Sequence, residues 1–331
     1  MFGSTAEGEL IAAFERYDQY VDVVSAFEWL FTSTEVANVP GTVAHFERFP
    51  RVAHGGRSLT PDFTVLFHNG TGIATEIASI ATHDNSVEKV CSQIANYDRL
   101  KSLPGPNGST RPVAQVSVLL LVPAHVGNSA VVRVHVDRRL SPSHPYKPAQ
   151  PPCVVQFSRD AEKYTFQRNQ HASNGAFAAG NPDHLAKYLD RDLNLKAKQW
   201  GPIKVQRAFM NDAIPPLYLA THLWLKTLPT AFGGGSQAIT TSATDLTRQI
   251  QQEYGTGRSK EIWRALELLE QAGLASSGES GAWTVRHALL GKKGQREVVR
   301  IIAQRAGNPT IKAHHPGRRR QVATPGQETL F

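Results

Sequence analysis

At 331 residues, with 40% apolar and 19% charged side chains, the chain is long enough for two ordinary domains and has a globular rather than a disordered composition. A net charge of +8 and a pI near 9.5 favour an anionic partner, nucleic acid being the commonest. Cys91 and Cys153 have no metal-like spacing, which argues for a reducing cytoplasm without structural zinc.

Residues Glu7 to about Thr34 carry a helical pattern, with Leu10, Phe14, Tyr17, Val21, Val24 and Phe27 at three-to-four spacing. The N-terminus shows no basic start followed by an apolar core, so no signal peptide is expected. A short strand is expected at Phe46–Val52, followed by two strands within Thr60–Ser79 that turn at His68-Asn69-Gly70, where Asn-Gly tolerates positive φ. Ser86–Leu100 reads as a second helix, stopped before Pro104-Gly105-Pro106. Val116–Val122 is a buried strand, too short to span a bilayer. Two further strands, PPCVVQFSRD and KYTFQRNQ, follow a Pro-rich loop at 141–152. The order helix, three strands, helix, strand predicts an α/β sandwich over residues 1–170.

Residues 171–213 read as a connecting region with one helix near Pro182–Leu193. From Pro215 three helices are expected, PPLYLATHLWLKTL, ATDLTRQIQQEY and SKEIWRALELLEQAGL, with Ser242 and Asp245 as a capping box on the second. A turn, SSGESG, leads to the strand AWTVRH. Three helices followed by a small β-ribbon resemble the winged-helix domains of bacterial DNA-binding proteins, here over 214–305. That resemblance makes Lys260 and Arg264, on the outer side of the third helix, the candidate DNA contacts. Beyond a helix near Gln295–Arg305, residues 306–331 are rich in Pro, Gly and Arg and are expected to form a disordered basic tail.

The chemistry sits in the hairpin. Asp62 opens its first strand and Glu76 lies in its second, so two carboxylates from adjacent strands reach one sheet edge, an arrangement that suits Mg²⁺ or Mn²⁺. On the helix that follows, Lys89, Gln93 and Tyr97 are spaced by four and share one face. The αβββαβ order, the Pro-Asp and Glu pair, and Gln93 with Tyr97 as a QxxxY motif resemble the PD-(D/E)XK nuclease superfamily in its RecB-like branch. The resemblance covers about the first half of the chain. It implies metal-dependent DNA cleavage in bacterial repair or replication-coupled processing, with Asp62 and Glu76 as metal ligands and Gln93 and Tyr97 on the substrate side. The family's lysine two residues after the second acid is replaced by Ala78, and Lys89 is the candidate to supply that charge. The family often adds an acid from the first helix, for which Glu28 and Glu35 are candidates. The alternative reading is a DNA-binding adaptor or regulator that uses the same fold without cutting.

The last residues, QETLF, resemble the bacterial sliding-clamp-binding peptide, with Gln327, Leu330 and Phe331 at its recognised positions. An exposed Leu-Phe pair on a polar tail has no folding reason to exist and suits a groove on a partner. The whole then reads as a cytoplasmic, nucleoid-associated protein whose partners are DNA and the sliding clamp.

Overall fold

A computed structural model describes residues 6–36, 38–78, 84–124, 148–160, 163–168, 183–232, 238–278, 281–287, 290 and 293–307. The chain is a mixed α/β protein that divides into two compact units, Asp18–Asp212, and Met1–Tyr17 with Ala213–Phe331. The division after Asp212 falls beside the expected start of the second domain at residue 214, and the described part of the expected connecting region, 183–212, belongs to the first unit.

That unit begins within α1 (Ala6–Thr32) and continues through β1 (Val43–Arg48), the small hairpin β2 (Val52–His54) and β3 (Arg57–Leu59), β4 (Phe63–Phe67) and β5 (Thr71–Ile77). Next come α2 (Asp84–Tyr97), the hairpin β6 (Ser102–Pro104) and β7 (Thr110–Pro112), β8 (Gln115–Pro123), β9 (Cys153–Asp160) and β10 (Lys163–Arg168). It closes with α3 (Asp183–Asp190), β11 (Leu193–Lys196) and α4 (Ala197–Gln206). Seven strands form one mixed sheet in the order β1-β4-β5-β8-β9-β10-β11. The pairs β5–β8 and β8–β9 are parallel and the others antiparallel. The expected strand at Phe46–Val52 is thus two elements, β1 and the start of β2, because β1 pairs with β4 only as far as Arg48↔Phe63.

The two-residue alternation of strands sorts side chains to two layers. On one face Phe27 and Phe31 of α1 pack on Phe63, Phe46, Phe67 and Phe166, with ring centroids 5.0–6.4 Å apart. On the other face Ala74, Ala78, Val116, Val118, Leu120 and Val122 meet Cys91, Ile94 and Tyr97 of α2 in a continuous core. The β4–β5 turn closes through Gly70 N–H donating to Phe67 O at 3.1 Å, and of Asn69 and Gly70 only the glycine takes positive φ, at 78°. Asn69 serves instead as a side-chain acceptor, for the Thr71 amide at 3.0 Å and its hydroxyl at 2.8 Å.

The region beyond residue 190 is attached by charge. Asp18 and Asp22, buried on α1, each accept from Lys204 Nζ at 2.7 Å and lie 3.4 and 3.7 Å from Arg159. Asp22 also accepts from the Tyr164 hydroxyl at 3.1 Å and the Trp200 indole at 3.2 Å. With every acid oxygen partnered, this pair of carboxylates fastens α4 to α1, β9 and β10.

In the second unit, Phe14 and Tyr17 rest on Tyr218 at 5.3 and 4.6 Å. Its elements are α5 (Pro216–His222), a π-helical turn at Leu223–Thr227, α6 (Leu228–Phe232), β12 (Ile239–Ser242), α7 (Ala243–Tyr254), α8 (Ser259–Gln271), β13 (Ala275–Ser277), β14 (Ala282–Val285) and α9 (Gln295–Gly307). The single helix expected after Pro215 is interrupted by that π turn, and His287 binds the Trp224 carbonyl within it at 2.9 Å. Strands β12, β14 and β13 make a three-stranded antiparallel sheet. Ser242 caps α7, its Oγ accepting from the Asp245 amide at 3.0 Å and donating to the Asp245 carboxylate at 2.7 Å. Helices α5, α7 and α9 pack against α8, burying its Ile262, Ala265, Leu266 and Leu269. Among the described residues no helix is long and apolar enough to cross a membrane.

Gly72, at the start of β5, tests how tightly the β4–β5 and β6–β7 hairpins are packed. A Cβ there would stand 2.2 Å from Leu103 Cδ1 and 2.9 Å from Val65 O. Gly72→Ala is therefore expected to lower unfolding free energy by about 1–3 kcal/mol, measured by urea denaturation.

Candidate functional site

Asp62 immediately precedes β4, and three backbone contacts fix it. Its amide donates to Thr75 O at 2.9 Å, its carbonyl accepts from Phe49 N at 3.0 Å, and its carboxylate Oδ2 accepts from Ile77 N at 2.6 Å. Phe49 holds positive φ at 49°, an uncommon conformation for a bulky residue. Glu76 lies on β5 between Ala74 and Ala78, and so faces α2. Gln93 Nε2 donates to its Oε1 and the Tyr97 hydroxyl to its Oε2, each at 2.9 Å. The four-residue spacing on α2 thus gives the carboxylate two donors of its own.

The charges of the site follow from this packing. Burial raises the Asp62 carboxyl well above the usual carboxylate range, and the negative charge of Glu76 raises it further. Burial likewise pushes Glu76 up to about 7, against the hydrogen bonds from Tyr97 and Gln93 and the positive charge of Lys89. Burial and the neighbouring Glu76 hold Tyr97 well above its ordinary value, so it remains a hydrogen-bond donor. Lys89 is exposed on α2, and among the described residues it acts on Glu76 through its charge without a direct ion pair. Ala78 stands where the resembled family has lysine, and it is buried in the core beneath α2.

An acid that sequence reading missed also reaches this place. Asp212 acts electrostatically on both Asp62 and Glu76, raising each. Together with Asp62, Thr60, Phe49, Met210 and Asn211 it lines a cavity of about 160 Å³. The route that brings it there is legible only in space. Lys204 and Trp200 fasten α4, Arg48 then donates to Arg207 O at 3.1 Å, and the following residues reach the cavity.

The first-helix candidates are engaged differently. Glu28 is ion-paired with Arg48 and lies 3.4 Å from Arg207. Glu35 is exposed beyond the end of α1, its amide bonded to the Ser33 hydroxyl at 3.2 Å. Neither is among the groups that shift Asp62 or Glu76. Lys260 and Arg264 are both exposed on α8, while Gln327, Leu330 and Phe331 lie outside the described residues.

Among the described residues no three His, Cys, Asp or Glu side chains gather into a ready-made metal-ligand group. The donor chemistry of Asp62 and Glu76 nonetheless suits Mg²⁺ or Mn²⁺, which is commonly held by one or two carboxylates with water and substrate phosphate completing the shell. The negative charge of Glu76 also raises the proton affinity of Asp62, a repulsion that a cation held by the two would relieve. Compared with known protein families, curated proteins and solved structures, the chain matches none.

The raised carboxyl values carry a sign for stability. The unfolded chain releases the Glu76 proton near 4.5 and the folded chain near 7, so stability from this group is present below 4.5 and is lost as pH rises towards 7. In EDTA, Glu76→Gln is expected to flatten that part of the stability–pH curve. Mn²⁺ should raise the melting temperature of the native chain more at pH 8 than at pH 5, an effect absent in Asp62→Asn; thermal denaturation across pH checks both.

Proposed function

We propose that the first unit is a metal-dependent deoxyribonuclease of PD-(D/E)XK type and that the second is a winged helix that holds its DNA. The observation that carries this reading is the convergence of Asp62, Glu76, Gln93 and Tyr97, with Gln93 and Tyr97 both bonded to Glu76. Asp62 and Glu76 would hold Mg²⁺ or Mn²⁺. A bound ion of this kind supplies an ionised water at neutral pH and offsets charge on the phosphodiester. Gln93 and Tyr97 fix the Glu76 carboxylate so that its oxygens do not reorient as charge develops. Lys89, a flexible point charge on the same helix face, offsets negative charge on the scissile phosphate. Asp212, which lines the cavity with Asp62, would add its negative charge to the attraction for a cation there.

Cleavage of linear, gapped and branched DNA by the full chain in Mn²⁺ tests the assignment. Asp62→Ala is expected to abolish it, Lys89→Ala to lower kcat about 10²–10³-fold, and Asp212→Asn to weaken Mn²⁺ dependence about 10–100-fold. Equal activity in Asp62→Ala and the native chain would remove this site from the reaction.

One observation favours a second reading. Ala78 closes the usual lysine position with a buried methyl group, and Lys89 is exposed rather than ion-paired to the acids. A non-cutting DNA-holding adaptor accommodates both facts, and it would bind all these DNAs while hydrolysing none in Mn²⁺.

The sequence supports a further tether, from Gln327, Leu330 and Phe331 to the bacterial sliding clamp, which would raise the local concentration of the nuclease at DNA. Deleting 327–331 is expected to abolish clamp binding in surface plasmon resonance and leave cleavage of free DNA unchanged.

A further inference from the structure

The outer side of α8 holds more than the two cations already named. Trp263 is 42% exposed, a large apolar group turned to solvent on a helix whose inner side is fully packed. Its ring meets that of Trp283, which is 1% exposed on β14, at 5.3 Å between centroids and 77° between planes. An edge-to-face contact with a buried indole restrains the exposed one, so little rotamer freedom is left to lose on binding.

Trp263 has charged neighbours. Lys260 lies three residues before it and Arg264 next to it, both exposed, and Arg258 stands exposed at the start of the helix. In the N-terminal half of α8 the one acid, Glu261, is buried and accepts from the Arg258 amide at 3.1 Å. The acids of the other half are exposed: Glu267 lies one turn beyond Trp263, and Glu270 accepts from the Ser277 amide at 2.9 Å and its hydroxyl at 2.8 Å. The positive end of the helix dipole falls on the basic half. A polyanion is therefore drawn to the N-terminal half of α8, up to Trp263 and no further. A purely apolar docking patch would continue into other apolar groups, but the exposed neighbours of Trp263 along α8 are Lys260, Arg264 and Glu267.

One aromatic ring between two exposed cations matches the repeat of a single-stranded nucleic acid, in which a base face alternates with backbone phosphate. Bases inside a duplex are stacked on one another and offer no free face. We propose that Trp263 is a stacking platform for an unpaired DNA base, with Lys260 and Arg264 on the flanking phosphates. This rests on the DNA-holding role proposed for α8, and it specifies the substrate class as DNA with single-stranded ends, gaps or flaps.

Binding of the full chain in EDTA, where cleavage cannot intervene, tests it by fluorescence anisotropy. The probes are a blunt duplex, the same duplex with a single-stranded overhang, and that overhang made abasic. Trp263→Ala is expected to weaken overhang binding about 10-fold and blunt-duplex binding less than about twofold, while Trp263→Phe keeps most of the overhang affinity. The abasic overhang should bind the native chain as weakly as the normal overhang binds Trp263→Ala. Equal losses on blunt and overhang DNA, or no loss on either, would overturn the proposal. So would loss of self-association by Trp263→Ala in sedimentation with DNA affinity unchanged, which would make the indole a protein contact. Lys260→Ala with Arg264→Ala separates the two ideas. If that pair weakens every probe but Trp263→Ala has no overhang-specific effect, the stacking proposal alone fails. If neither variant alters binding to any probe, the DNA-holding role of α8 fails with it.

Discussion

The carboxylate of Glu76 is the constraint on which the first unit turns. A charged group set among Ala74, Ala78 and the apolar underside of α2 is tolerable only when its oxygens are hydrogen-bonded. Gln93 and Tyr97 meet that need from successive turns of α2, and in doing so they fix the helix over β5. Sliding α2 by one residue would carry both donors off the carboxylate and leave a buried charge unsatisfied, at about 1–3 kcal/mol or more. Stability and site geometry are thus one requirement: the contacts that seat the helix also aim the acid.

A comparison within the same unit separates structural acids from the candidate catalytic ones. Asp18 and Asp22 are buried beside Lys204 and Arg159, and Glu28 beside Arg48 and Arg207, so their charge is neutralised where it stands. Asp62 and Glu76 receive neutral donors, a backbone N–H, an amide and a phenol, with only the remote charge of Lys89 in compensation. Neutral donors orient a carboxylate without cancelling it. Burial without a salt-bridge partner among the described residues holds both carboxyls above the usual range, so a cation that replaces their protons suits this pair, whereas the ion-paired acids serve to hold α4 and β1 in place.

How much was legible depended on distance along the chain. Gln93 and Tyr97 were readable because four-residue spacing is a local property of a helix, and Glu76 because alternation within β5 fixes its face. The β8 strand was readable from its apolar run. The turn at Asn69-Gly70 was legible as a turn, yet its details were not: Asn69 spends its side chain on Thr71, which a propensity rule does not foresee. Residues 193–206 escaped because β11 and α4 are short, α4 contains Pro202, and their anchors are partners far away in sequence. Asp212 escaped for the same reason, since nothing in the residues around it marks an acid. Glu28 and Glu35 are alike in local sequence, and only the fold brings Arg48 to the first.

By itself, the sequence determined the longer helices, the main strands of the first unit, and the alignment of Lys89, Gln93 and Tyr97, because these follow from backbone periods that act over a few residues. Only the tertiary structure decided which acids are neutralised, that Asp212 and burial raise the proton affinity of both Asp62 and Glu76, and that the 207–212 segment closes on Asp62. Those outcomes depend on distances through space and on exclusion of water, which arise once the sheet has brought remote segments together.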